Sequence, residues 1–95
     1  MDLNYLKIIE HYGVNHQLKH FQTEVFELNE AIFNHQWLKS ERGMQNIDHI
    51  AEELADCYVM LAQFAEYYQI HSMKIAEIMA QKIDRQLERI KKENE

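Results

Sequence analysis

A chain of 95 residues holds one domain, residues 1–95, and a domain this small buries only about 60–65% of its unfolded surface, so a partner subunit is expected to complete its core. Ten Lys and Arg against sixteen Asp and Glu leave a formal charge of −6, which argues against phosphate-backbone binding and so against a nucleic-acid partner. The longest uncharged apolar run, Tyr58 to Ala62, is far below the roughly 18 residues of a membrane span, and a lone Cys57 excludes an internal disulfide. With an acidic start, Met1-Asp2-Leu3, in place of a basic and apolar leader, the expectation is a cytoplasmic chain with no membrane partner.

The absence of Pro, the two Gly and the abundance of Leu, Ile, Ala, Glu, Gln and Lys predict an all-α fold. Gly13 and Asn15 separate a short first helix, about 3–11, from a long second one, about 15–38. Lys39 to Gln45 has no apolar periodicity and reads as a loop and as the most mobile segment, with Asn46 or Asp48 capping a third helix over about 47–69. His71-Ser72 marks a tight connection, with Ser72 as the N-cap of a final helix running to about 91.

At about 100° per residue, Val14, Leu18, Phe21, Val25, Leu28 and Ile32 form one stripe on the second helix, and Phe26, Phe33 and Trp37 form another side. A helix with two apolar faces calls for two neighbours. The third helix carries a stripe through Ile47, Ile50, Leu54, Tyr58, Leu61, Ala65 and Tyr68, with Cys57 on its shoulder as a small core residue without chemistry of its own.

Four acids sit in equivalent positions beside these stripes. Glu24 and Glu27 are three residues apart on the second helix, and Glu53 and Asp56 are three apart on the third. If the two helices pack along their stripes, the four carboxylates converge at the edge of the core. Crowded carboxylates raise one another's pKa unless a cation compensates, and an all-oxygen set suits Mg²⁺, which points to a phosphate-bearing substrate. Lys82, Arg85 and Arg89 share a face of the last helix at spacings of three and four and are candidates for phosphate oxygens, while Asp84 and Glu88 between them allow a salt-bridged surface instead. Gln17 and His20 project on the Glu24 side, one or two turns earlier, and are candidates for base or sugar contacts or ordinary polar flank. Glu30 and Glu52 lie further round and read as solvated or outer residues. The six His lack the Glu-x-x-His spacing of di-iron bundles.

The motifs Glu24-Val25-Phe26-Glu27 and Glu53-Leu54-Ala55-Asp56, on successive helices, resemble the ExxE and ExxD motifs of the all-α nucleoside triphosphate pyrophosphohydrolases, specifically the small MazG-like proteins. The likeness extends through His11-Tyr12-Gly13, Gln17-Leu18, Glu27-Leu28 with Ala31, Glu52 to Asp56, and Lys82 with Arg85 and Arg89, and so covers most of the chain. Thr23 stands where small members often have a further Glu, and Asp84 lies between Lys82 and Arg85. The resemblance implies a four-helix protomer that assembles as a homodimer or homotetramer into a helical bundle, with Trp37 and Phe33 near an interface. It further implies hydrolysis of a ribo- or deoxyribonucleoside triphosphate to the monophosphate and pyrophosphate, in nucleotide house-cleaning or pool control. The four acids Glu24, Glu27, Glu53 and Asp56 would hold Mg²⁺, with Mn²⁺ as a substitute. The competing class is a catalytically silent helical assembly module that keeps the bundle and has lost metal binding.

Overall fold

The computed structural model describes residues 3–38 and 43–95. Among them are four helices and no strand: α1 (Leu3–Tyr12), α2 (Val14–Leu38), α3 (Gly43–Tyr67) and α4 (Ser72–Glu93). The fold is all-α, and no helix of the described residues is long and apolar enough to cross a membrane. Of the loop and mobile segment expected at Lys39 to Gln45, residues 39–42 lie outside the described residues, and α3 has begun at Gly43. Asn46 and Asp48 therefore lie inside α3 and are not its caps.

One residue separates α1 from α2. Gly13 has φ +91°, in the left-handed region that costs an L side chain about 1–2 kcal/mol. Its N–H donates to the Ile9 carbonyl at 2.8 Å, and its own carbonyl accepts from the Gln17 N–H at 3.1 Å. The same glycine closes one helix and opens the next.

The α3–α4 connection is equally tied down. Gln69, at φ +57°, donates to the Glu66 carbonyl, and Ile70 donates to the Ala65 carbonyl, the pair of bonds that defines a Schellman stop. α3 thus ends at Tyr67, two residues before the expected 69. The N-cap of α4 is His71 and not Ser72: the Nδ1 of His71 accepts from the Met73 N–H at 3.1 Å, and Ser72 is already helical. An imidazole nitrogen serves the orphan amide that a serine oxygen was expected to take.

α2 and α3 pack antiparallel, and α1 lies across both, mainly against α3. The pairing is visible in Gln17 with Gln63 and in the edge-to-face contact of Phe21 with Phe64, ring centroids 5.8 Å apart. The residues on the buried line are unexpected. On α2 they are Gln17, Glu24 and Ala31, and on α3 they are Glu53, Cys57, Met60 and Gln63, with Ile9 of α1 fully enclosed. By the helical count, the line of burial is turned from the predicted apolar stripe by about 80° on α2 and about 110° on α3. Tyr58 and Leu61, expected in the core, are 69% and 51% exposed, and Leu18 and Ile32 also face outward.

α4 does not pack on the other three helices and has no buried residue. Its apolar stripe of Met79, Ile83, Leu87 and Ile90 stands in the open, each more than half exposed. The radius of gyration is 16.9 Å, against roughly 12 Å for a compact domain of this length. The accessible surface is 8126 Å², where a compact monomer of this mass would have roughly 5,800 Å².

A Cβ on Gly13 would meet nothing within 4 Å, so only its backbone conformation opposes substitution. Gly13→Ala is expected to destabilise the protein by about 1–2 kcal/mol, and Gln69→Gly to stabilise it by about 1 kcal/mol, both read by denaturant unfolding. A neutral Gly13→Ala would contradict the left-handed assignment.

Candidate metal centre

The antiparallel α2–α3 seam brings the two acid pairs together. One carboxylate oxygen each from Glu24, Glu27 and Glu53 lie within 4.8 Å of one another. Asp56 joins them electrostatically, since its charge bears on both Glu24 and Glu53. The convergence expected from spacing is therefore present, and deeper than the core edge: Glu24 and Glu53 are buried, each 8% exposed, while Glu27 and Asp56 face solvent.

Two carboxylates this deep are under electrostatic load. Burial, followed by the charges of Asp56 and Glu27, pushes the Glu24 carboxyl above its ordinary value. Burial and the charges of Glu27 and Asp56 do the same to Glu53. The Oε2 atoms of both buried glutamates have no hydrogen-bond partner. Buried polar atoms are nearly always paired, so two orphaned oxygens in one cluster mark a place where a cation fits. Oxygens around Mg²⁺ lie roughly 3.0–4.2 Å apart, so the observed spread needs only a small inward movement.

Each buried glutamate also has a histidine one turn earlier on its own helix. His20 Nε2 lies 3.2 Å from Glu24 Oε1, and His49 Nε2 lies 3.8 Å from Glu53 Oε1. His20, a candidate for a base or sugar contact or for polar flank, lies against a cluster carboxylate. His49 stands in the same relation to its acids, and the sequence carries the signal: His20-x3-Glu24-x2-Glu27 and His49-x3-Glu53-x2-Asp56 have the same spacing.

Two grooves flank the cluster. One, of about 380 Å³ between α1, α2 and α3, runs from Tyr12 and His16 past Gln17 and Gln63 to Glu24 and Asp56. The other, of about 570 Å³, is lined by Thr23, Glu27, Glu30, Asn34, His49 and Glu53 among others. Glu30, expected as an outer residue, lines this groove. Lys82, Arg85 and Arg89 are exposed on α4 and line neither groove, so a single chain does not bring them to the acids. Gln17 is buried, 3% exposed, and its amide reaches Gln63 across the seam. Cys57 lies in the core beside the cluster, where burial and the charges of Glu24, Glu53 and Asp56 push its thiol up and keep it protonated.

No family model matches the chain, and neither does any curated protein or solved structure.

Because Glu24 and Glu53 have folded-state pKa values above the ordinary 4.5, the folded chain binds more protons than the unfolded chain between 4.5 and those values. The stability these groups contribute therefore falls as pH rises through that window. Glu53→Gln, which removes one of the charges, is expected to melt higher than the native protein when metal-free at pH 7. That advantage should shrink as pH is lowered toward 4.5, which calorimetry on both proteins across the range would check.

Proposed function

We propose that the chain is a metal-dependent nucleoside triphosphate pyrophosphohydrolase of MazG-like type, acting in nucleotide house-cleaning or pool control. The observation that carries this reading is the cluster of Glu24, Glu27 and Glu53, with buried glutamate oxygens left unpartnered beside open grooves. Such an arrangement is unfavourable for the empty protein and favourable for one that binds a cation, a trade-off expected at working sites.

Glu24, Glu27, Glu53 and Asp56 are the residues that would hold Mg²⁺, or Mn²⁺ in its place. When bound, the ion supplies charge neutralisation for phosphate oxygens and acidifies water. The chain's own part is to fix the carboxylates. The helix backbones set their spacing, His20 lies within hydrogen-bond reach of Glu24 Oε1 at 3.2 Å, and His49 stands 3.8 Å from Glu53 Oε1. One of the four carboxylates takes the proton of the attacking water. The cluster carries too much negative charge to accept a triphosphate alone, so cation and nucleotide bind together.

The proposed working form is a homodimer or homotetramer. Its support is the excess of surface, about 2,300 Å² over a compact monomer, which is the scale of an obligate interface. The exposed stripe of α4 and the outward Phe26, Phe33 and Trp37 are the surfaces available to it. In such an assembly, an α4 docked on a neighbouring copy is the route by which Lys82, Arg85 and Arg89 approach a triphosphate.

The test is a panel of ribo- and deoxyribonucleoside triphosphates with Mg²⁺, scored separately for pyrophosphate and orthophosphate. The native protein is expected to release pyrophosphate, and Glu53→Gln to lose at least 100-fold in turnover while keeping its helical circular dichroism. Mg²⁺ at a hundred times its dissociation constant should stabilise the native protein by about 2.7 kcal/mol. No hydrolysis and no response to Mg²⁺ would make the chain a silent helical assembly module. Light scattering should give twice or four times the chain mass, and Leu87→Glu should shift it toward the monomer.

A further inference from the structure

The groove between α1, α2 and α3 has a floor that the metal centre does not use. Gln17 and Gln63 are 3% and 2% exposed, and the Gln17 Nε2 donates to the Gln63 Oε1 at 2.8 Å across the α2–α3 seam. The Gln17 Oε1 lies 2.8 Å from the His16 Nδ1. The Gln63 amide nitrogen has two hydrogens to place, and its observed acceptor is the Met60 thioether sulfur at 3.6 Å. A thioether is a weak acceptor, so a strong buried donor is held against a poor partner.

The walls above this floor suit a flat ring. Tyr12 and His16 are stacked, with centroids 5.2 Å apart and planes 18° from parallel, and His20 continues the row toward Glu24. Val59, Met60 and Ile8 supply apolar lining. A volume of about 380 Å³ lies within the range of small-ligand sites. The second groove offers the opposite character, with Glu27, Glu30 and Glu53 along it. A planar heterocycle belongs in the first groove, with its phosphates toward the acids.

We infer that Gln63, together with Gln17, reads the hydrogen-bonding edge of a nucleobase lying in this groove, and so sets which nucleotide the chain prefers. This rests on the nucleotide reading above and adds the residue pair that discriminates bases. An amide pair presents donors and acceptors at fixed positions, and a site built that way rejects a base whose edge leaves them unpaired.

The test compares native protein with Gln63→Met and Gln17→Met, which keep chain length and remove the amide. Binding of the four deoxynucleoside monophosphates and kcat/KM for the matching triphosphates are both measured with Mg²⁺. The native protein is expected to prefer one base by about tenfold or more, and each variant to narrow that preference below threefold with Mg²⁺ stabilisation unchanged. In ¹⁵N-labelled native protein, the side-chain amide signals of Gln63 and Gln17 are expected to move on addition of the preferred monophosphate, a readout independent of whether a variant folds. Unchanged base preference in the variants, or amide signals that stay in place at saturation, would overturn the inference while leaving hydrolysis intact. Absence of hydrolysis alongside selective monophosphate binding that the variants lose would remove the hydrolase reading and support the base pocket. Absence of any monophosphate binding would overturn the pocket itself.

Discussion

Charge at the α2–α3 seam is the constraint around which the rest of the chain is arranged. Helices that pack side by side normally put their most apolar line between them. Here that line is Gln17, Glu24 and Ala31 against Glu53, Cys57, Met60 and Gln63. Burying Glu24 and Glu53 together is unfavourable without a compensating ion. What holds the seam in register is its uncharged part: Phe21 against Phe64 and the Gln17–Gln63 bridge on one side of the acids, and Ile9 fully enclosed where α1 crosses. The acids are thus fixed by neighbours that do not share their charge, which is what a preorganised ion site requires.

Putting polar residues inside displaces the apolar ones outward. Tyr58 and Leu61 of α3, Leu18 and Ile32 of α2, and the whole stripe of α4 are the counterpart of the polar seam. The extended dimensions and the surplus surface have the same origin. A chain that gives its interior to carboxylates and amides leaves its apolar side chains at the surface.

This arrangement also explains what the sequence made legible and what it concealed. The acid pairs were readable because a spacing of three places two side chains on one helical face, whatever surrounds the helix. The break at Gly13 was readable because little but glycine accepts that backbone. The core face was misread because apolar periodicity marks every surface that will be covered, by its own chain or by another, and here the more regular stripe is the one left bare. Ser72 carries the stronger sequence signal for a cap because serine is the commoner choice, whereas the His71 imidazole caps through one nitrogen. Gln63 carried no local signal; its relation to the acids appears once α2 and α3 are known to run antiparallel, since it lies seven residues after Asp56 as Gln17 lies seven before Glu24.

The turn from Tyr68 to His71 has a mechanical meaning. Hydrogen bonds close it from both sides, from Ile70 and Gln69 back to α3 and from Met73 and Lys74 forward to His71. It is a stiff elbow, and α4 beyond it, 22 residues long, is a lever of about 33 Å. A change of 5° at the elbow displaces the far end by about 3 Å and Arg89, nearer the elbow, by about 2 Å. The aim of the arm is thus decided at a four-residue joint far from anything the arm would touch, and small backbone changes there are amplified along its length.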